Sequence, residues 1–225
     1  MKISKILTLF ATCLLATTAS ADIELKATYT DQKGVEVVAT ENFSAEAPLY
    51  VQFTSNPSNL DPAATIEWHI TNTSAAINVT RYEEDTNYTF TAAGKNNITL
   101  NVVLDGEIVE TKSMNITISD SHLEMPNAFS PNGDGINDYF QAKTNSKSII
   151  EFHAYIFNRH GQKLYDWTDW QNEKSGWDGT HNGHPVKDGV YFVYVKARGA
   201  DGTEYNIRRD VNLLRNYNTV ETNNP

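Results

Sequence analysis

Short alternations of apolar and polar residues, separated by turn-forming residues, fill most of this chain. Residues 98–104 read Ile-Thr-Leu-Asn-Val-Val-Leu, with apolar side chains at 98, 100, 102 and 104. A period of two sends alternate side chains to opposite faces of a strand, so such a strand buries one face. Sustained helical periodicity is almost absent. In the first half of the chain the pattern predicts strands at 22–29, 35–39, 49–53, 65–70, 88–91, 97–104 and 107–118.

Turn signals organise these strands into two blocks. Asp105-Gly106 stands between two predicted strands, and this dipeptide is typical of a tight hairpin turn. About seven strands in roughly 95 residues is the strand density of an immunoglobulin-like sandwich. Beyond a polar linker, Ser119 to Glu124, a second block has its clearest strands at 149–157, 189–197 and 202–214, the last beginning at an Asp201-Gly202 turn.

The pattern therefore predicts an all-β protein with two tandem immunoglobulin-like β-sandwich domains. The first domain is expected at residues 22–120 and the second at 121–215. The last segment, 216–225, is polar and rich in asparagine, and we expect it to be a disordered tail.

The beginning of the chain has a different pattern. A short basic segment precedes an apolar run at 6–16, and residues 19–21 read Ala-Ser-Ala, the small-x-small form of a cleavage site. We therefore expect residues 1–21 to be a secretory signal peptide, cleaved between Ala21 and Asp22. The alternative of a membrane anchor is disfavoured, because about 11 apolar residues are too few to span a bilayer.

Composition restricts the chemistry further. Cys13 is the only cysteine. Its lipidation is a second alternative to simple cleavage, although the residues before it fit a lipidation site poorly. The mature chain would contain no cysteine, so its stability must come from its core, as suits a bacterial envelope protein.

Charge and catalytic motifs argue against several classes of function. The formal net charge of −10, without a basic patch, disfavours nucleic acid or an anionic membrane as a partner, and no second apolar run is long enough for a membrane span. Nucleophile-elbow, zinc-protease and phosphate-loop motifs are missing, so we expect no enzymatic activity and no cofactor. His181 and His184 share a glycine-rich loop, but two ligands fall short of a structural zinc site and we expect them to be solvated.

The segment from Pro126 to Asp138 is the strongest local signal, because oxygen-bearing side chains alternate there with glycines. Two interpretations are open. One is a calcium site, although the segment lacks the glutamate that ends an EF-hand loop. The other is a tight turn in which Asn and Asp side chains accept hydrogen bonds from their own backbone, and we favour it. The candidate calcium ligands are Asn132, Asp134, Asn137 and Asp138.

The first half carries a family resemblance between residues 40 and 118. Residues 47–53 read Ala-Pro-Leu-Tyr-Val-Gln-Phe, residues 66–70 read Ile-Glu-Trp-His-Ile, and a hairpin pattern follows at 88–102. These segments resemble the polycystic-kidney-disease (PKD) domain, an immunoglobulin-like sandwich. The glycine turn and acidic residues that usually follow the family's tryptophan are missing after Trp68, so only the fold is carried over. Trp68 and Phe90 are expected in the core.

The second half carries a more specific resemblance. Residues 127–138 read Asn-Ala-Phe-Ser-Pro-Asn-Gly-Asp-Gly-Ile-Asn-Asp, and further blocks follow at 155–161, 177–179, 185–194 and 211–215. Together they resemble the gliding-motility-associated C-terminal domain, the type B sorting signal of the type IX secretion system of Bacteroidota. The signature positions are Asn127, Phe129, Pro131, Asn132, Gly133, Asp134, Gly135, Asn137, Asp138, Asn158, Arg159, Gly161, Trp177, Asp178, Gly179, Gly189, Tyr191 and Arg215.

Several of these positions have physical reasons. Gly161 is predicted to take a positive φ in a hairpin, and Trp177 to cover the core beside it. Tyr191 and Val193 should face the opposite side of their strand from Val190 and Phe192. The chain departs from the family in two places: His160 replaces the usual tryptophan, and ten residues follow the last signature arginine.

The resemblance implies export by the Sec route to the periplasm and then recognition at the outer membrane. The implied partners are an outer-membrane β-barrel of the type IX apparatus (PorP/SprF-like) and the translocon. Because the first domain is small for an exported effector, we favour an accessory or signalling component that docks on the apparatus. The alternative is a small cell-surface cargo or adhesin, whose first domain binds an unknown ligand. Glycan stacking on Tyr82 or Tyr88 is one option, although packing is the simpler role of both side chains.

Overall fold

The computed structural model describes residues 22–172 and 174–215. The predicted signal peptide with its cleavage site after Ala21, and the tail at 216–225, lie outside the described residues. Every regular element of the described residues is a β-strand, so the all-β prediction is confirmed. None of these residues belongs to a helix that could cross a membrane.

The first domain is a sandwich of two sheets. Nine strands build it: β1 (Lys26–Thr30), β2 (Glu36–Ala39), β3 (Phe43–Ala45), β4 (Leu49–Thr54), β5 (Thr65–Asn72), β6 (Ile77–Arg81), β7 (Thr86–Phe90), β8 (Gly94–Leu104) and β9 (Glu107–Ile118). One sheet has the order β2-β1-β4-β7 and the other β3-β9-β8-β5-β6. The pattern had not predicted β3 and β6.

Aromatic side chains join the two sheets. Phe53 of β4, Trp68 of β5 and Phe90 of β7 are almost completely buried, as expected for Trp68 and Phe90. The ring of Phe53 lies 5.9 Å from that of Trp68 and 6.3 Å from that of Phe90. The indole N–H of Trp68 donates to the carbonyl of Glu83 at 3.0 Å, so burying the indole leaves no unpaired donor.

The second domain is built around one large sheet. Its strands are β10 (Ala128–Phe129), β11 (Ile149–Phe157), β12 (Lys163–Trp167), β13 (Thr180–His181), β14 (His184–Pro185), β15 (Gly189–Gly199) and β16 (Glu204–Leu213). The sheet order is β10-β16-β15-β11-β12, and β13 and β14 form a separate small hairpin. Irregular segments pack side chains such as Met125, Phe140 and Trp177 against the inner face of the large sheet.

The predicted turns occur where the sequence placed them. Asp105 and Gly106 have φ angles of 53° and 83°, the two successive positive values that a type I′ hairpin needs. Gly161 and Gly202 have φ angles of 78° and 81°, each at a hairpin end. Tyr191 and Val193 are buried whereas Val190 and Phe192 are exposed, which confirms the predicted alternation along β15.

The predicted linker is held by hydrogen bonds to the second domain. Ser121 donates to the two carboxylate oxygens of Asp201, from its N–H at 3.1 Å and from its hydroxyl at 2.7 Å. The Ser121 hydroxyl also lies 2.9 Å from that of Tyr205. Between Ser119 and Glu124 the chain is therefore fixed against the β15–β16 hairpin.

The tip of the β15–β16 hairpin also enters the first domain. Ala200, at this tip, belongs to the hydrophobic core of the first sandwich, and its carbonyl accepts from the N–H of Ala93 at 2.9 Å. The N–H of Ala200 donates to the carbonyl of Ser148 at 2.9 Å. Ser148, fully buried, accepts on its hydroxyl from the N–H of Ala47 at 3.2 Å and lies 2.9 Å from the Ser119 hydroxyl. The two domains therefore share a hydrogen-bonded junction.

Candidate functional site

The signature loop is closed by one carboxylate. Asp138 accepts backbone N–H groups of Asn132, Gly133 and Gly135 at 3.0, 2.7 and 2.8 Å. These hydrogen bonds hold the pKa of Asp138 below its usual value. The bonds from Gly133 and Gly135 have the largest effect, and desolvation of the carboxylate opposes them. The loop is closed at its base by the N–H of Ser130, which donates to the carbonyl of Asn137 at 2.8 Å.

A second carboxylate orders the tip of the loop. Asp134 accepts from the N–H of Ile136 at 2.8 Å and from the amide of Asn132 at 2.9 Å. The Asn132 side-chain oxygen in turn accepts from the N–H of Asp134 at 3.0 Å. Gly133 and Gly135 have φ angles of 82° and 85°, which residues other than glycine rarely adopt.

This geometry is the Asx-turn arrangement that the sequence favoured. Three of the four candidate calcium ligands, Asn132, Asp134 and Asp138, already direct side-chain oxygens at donors of the loop itself. The described residues contain no group of three or more His, Cys, Asp or Glu side chains placed to hold a metal. Calcium binding stays the untested alternative to this turn.

The last signature arginine joins blocks that are far apart in sequence. The guanidinium of Arg215 donates to the carbonyl of Gly179 at 2.6 Å and to that of Val186 at 2.5 Å, and it contacts the Asp188 carboxylate at 3.0 Å. The backbone N–H of Arg215 donates to the same carboxylate at 2.9 Å. We call Gly179, Val186, Asp188 and Arg215 the arginine clamp.

Gly179 is the tightest position of the clamp. Its φ is 77°, and an added Cβ would lie 2.8 Å from Arg215 Nη2, 2.9 Å from Pro131 Cγ and 3.0 Å from Leu213 Cδ1. Any side chain would therefore push the arginine away from the carbonyls it binds. Asp178, next to it, accepts from the N–H and hydroxyl of Thr180 at 2.9 and 2.8 Å and so shapes the turn.

Buried aromatic signature residues lie at the inner face of the sheet. Trp177 is completely buried, with ring centroids 5.3 Å from Phe129 and 5.0 Å from Tyr191. Its indole N–H donates to the carbonyl of Thr180 at 2.7 Å, and the Tyr191 hydroxyl donates to the carbonyl of Lys187 at 2.6 Å. Burial raises the pKa of Tyr191. Trp177 lies in the core, where its ring contacts Phe129 and Tyr191, and its position beside the Gly161 hairpin stays a prediction.

The remaining signature block forms the β11–β12 hairpin. The side-chain oxygen of Asn158 accepts from the N–H groups of His160 and Gln162 at 2.9 and 3.0 Å, and Gly161 provides the positive φ. Arg159 and His160 are exposed and contact each other, Arg159 Nε donating to His160 Nε2 at 3.2 Å. Asn158 and Gly161 therefore fix the turn, whereas Arg159 points to solvent.

Two other signature positions act through the backbone, and two residues nearby form contacts that the sequence did not predict. The carbonyl of Asn127 accepts from the N–H of Asn212 at 2.9 Å, and Gly189 starts β15 with a φ of 144°. His181, expected to be solvated, is half-buried and its Nδ1 lies 2.9 Å from the carbonyl of Leu164. Asp188 lies in the block that ends at Tyr194 but is not among the predicted signature positions. The sequence around an exposed carboxylate next to a lysine does not indicate which residue the carboxylate binds.

Comparisons with known proteins identify the second domain. Residues 123–208 match the family model of the CHU_C type IX secretion signal domain. No curated protein matches the chain.

Several solved structures show distant similarity. A tetra-tandem repeat from the extending region of a large adhesion protein has 11% identity, a TM-score of 0.29, and coverage of 86% of this chain and 67% of that one. The Bacteroides ovatus mixed-linkage glucan utilization locus protein SGBP-B, solved with a heptasaccharide, has 14% identity, coverage of 78% and 43%, and a TM-score of 0.28. Dimeric latent PorU from Porphyromonas gingivalis has 11% identity, coverage of 91% and 21%, and a TM-score of 0.26.

The family match and the geometry concern the same part of the chain. The matched segment begins just before the signature loop, and Arg215, seven residues beyond its end, is bound to Gly179 inside it. Residues 123–208 therefore match the CHU_C type IX secretion signal domain, in the segment that contains the signature loop and Gly179 of the arginine clamp.

Proposed function

We propose that this protein is a small cargo of the type IX secretion system that is displayed at the cell surface. The family match carries the proposal, because a secretion signal domain directs export of the chain that contains it. The sequence favoured an accessory component that docks on the apparatus. The match supports the alternative better, since it identifies an export signal and adds no support for a docking role.

The first sandwich is the part that export would present. It holds 15 of the chain's acidic residues against five lysines and arginines. We propose that it serves as an adhesin or spacer without catalysis or cofactor, in keeping with the missing catalytic motifs.

The proposed route is the Sec pathway to the periplasm, then recognition by the translocon and a PorP/SprF-like outer-membrane β-barrel.

Export can be tested with the full chain. An epitope-tagged copy is expressed in a bacterium with a functional type IX system and in a matched strain without the translocon. We expect protease-accessible protein on intact cells of the first strain and periplasmic protein in the second. Surface display in both strains would contradict the proposal.

The accessory alternative has its own test. We expect that deleting the gene leaves secretion of other type IX cargo unchanged, because a cargo is not needed by its neighbours. Loss of that secretion, restored by re-expressing this chain, would support the accessory function instead.

A further inference from the structure

Some side chains in the signature blocks point away from the core of the second domain. Along β11 and β15 the side chains alternate, and Ile156, Tyr191 and Val193 point into the core. Their neighbours point outward although several are large and aromatic. Phe192 is 46% exposed. Core packing and turn geometry explain the inward residues and the glycines, but they do not explain an exposed phenylalanine.

The outward aromatic residues form one patch. Phe157 pairs with Phe192, and Tyr155 pairs with Tyr194, across adjacent strands. The ring centroid of Tyr155 lies 6.4 Å from that of Phe157 and 6.0 Å from that of Tyr194, with interplanar angles of 27° and 22°. We call these four residues the outer aromatic face. A shallow depression of about 420 Å³ runs along it between Phe157, Phe192 and Arg208.

Lys163 lies 5.9 Å from the ring centroid of Tyr155 but pairs with Asp166, and two further cations accompany this face at Tyr194. The guanidinium of Arg208 lies 4.7 Å and the ammonium of Lys196 lies 5.6 Å from the ring centroid of Tyr194. Neither cation forms an ion pair with a carboxylate within residues 22–172 and 174–215. The nearby Arg208, and to a smaller extent Lys196, also lowers the pKa of the Tyr194 hydroxyl. Aromatic and arginine side chains are enriched at the energetic centres of protein interfaces.

We propose that the outer aromatic face is the surface by which the type IX apparatus binds this signal domain. The partner surface is a protein groove with apolar side chains, flanked by carboxylates that pair with Lys196 and Arg208. This inference rests on the proposed function, because a secretion signal must be bound by the machinery that exports it. A protein partner is favoured over a glycan, since the rings belong to the signal domain and not to the sandwich that export presents.

The test uses the full chain and substitutions that leave the core intact. Phe192→Ser and Arg208→Glu change exposed side chains of the face. Ile108→Ser is the matched control, because Ile108 is 60% exposed on β9 of the first domain. We expect both face variants to keep the wild-type melting temperature and to reduce surface-displayed protein by about tenfold or more, with accumulation in the periplasm. The control should be exported like wild type.

The possible outcomes separate the inference from the proposed function. Wild-type display together with normal display of both face variants would overturn the inference alone. Failure of the wild-type chain to reach the surface would overturn both. Normal export of Phe192→Ser combined with lost retention on barley β-glucan or yeast mannan would assign the face to glycan and overturn the inference. If Phe192→Ser lowers the melting temperature, Arg208→Glu decides, because Arg208 is exposed and its replacement leaves the buried core side chains unchanged.

Discussion

At the scale of single residues, the arginine clamp explains why position 179 needs a glycine. Gly179 combines a left-handed backbone with a site where an added Cβ would overlap Arg215, Pro131 and Leu213. Gly183, four residues later, has almost the same φ, 76°, but an added Cβ would meet no atom within 4 Å. The two glycines therefore separate the cost of backbone conformation from the cost of steric overlap.

Gly179→Ala should destabilise the second domain more than Gly183→Ala. Both substitutions pay roughly 1–2 kcal/mol for a left-handed alanine. Only Gly179→Ala also displaces Arg215 from its carbonyls, which we expect to add about 1–3 kcal/mol. Urea denaturation of the full-length variants measures the difference. Equal losses would contradict the clamp.

Asp138 should make the signature loop sensitive to acid. Its pKa is lowered in the folded state, so its carboxylate stabilises the fold above the unfolded value of about 3.9. That contribution is lost as the pH falls through the lower folded pKa. We therefore expect wild type to melt above Asp138→Asn at neutral pH, and the gap to close in strong acid. A gap that is constant from pH 7 to pH 2 would be inconsistent with this role.

At the scale of elements, the β15–β16 hairpin belongs to both domains. Its strands form the centre of the second sheet, whereas its tip residue Ala200 packs in the first core. Gly199 leaves room for this arrangement, because an added Cβ there would overlap Ser121. The Asp201 carboxylate fixes the connecting segment. Burial raises the pKa of this carboxylate, but the hydrogen bonds from Ser121 and Thr203 together outweigh burial and leave the pKa below its usual value.

Ser148→Ala should destabilise the first domain although Ser148 lies outside it. The substitution leaves the buried N–H of Ala47 without its acceptor, a loss of about 1–3 kcal/mol. Hydrogen exchange of β4 and β9 amides should speed up accordingly. Ser130→Ala is the control, because the Ser130 hydroxyl is buried with no hydrogen-bond partner among the residues described. An effect of Ser130→Ala as large as that of Ser148→Ala would refute the explanation.

At the scale of the whole molecule, the junction joins the signal domain to the first sandwich by hydrogen bonds. Ala93 bonds to Ala200, Ala47 bonds to Ser148, and the connecting segment is bonded to Asp201. Export would therefore present the first sandwich in a fixed orientation relative to the signal domain.

Residues 22–225, expressed without the predicted signal peptide, should unfold in one cooperative transition. Each domain completes part of the other's buried surface, so neither keeps its full stability alone. Calorimetry should give a van't Hoff enthalpy equal to the calorimetric one, and residues 22–120 expressed alone should melt at a lower temperature than residues 22–225. Two separate transitions, with the lower-melting one matching the isolated fragment, would show independent domains.

The sequence alone determined most of the strands and the family. Period-two patterns located β8 and β9, the Asp105-Gly106 pair located their turn, and the block at 127–138 identified the signal domain. These features depend on neighbouring residues, whose backbone preferences and side-chain alternation are local.

Only the tertiary structure decided which distant groups meet. The three-residue β3 exists because it pairs with β9, and its own sequence is too short to show a period. Gly179 and Arg215 are 36 residues apart, and Ala47 and Ser148 are 101 residues apart. A buried N–H or a guanidinium needs a hydrogen-bond acceptor, and any carbonyl can serve. The neighbouring sequence therefore does not predict which acceptor is used, because only the packing of the sheets brings one within reach.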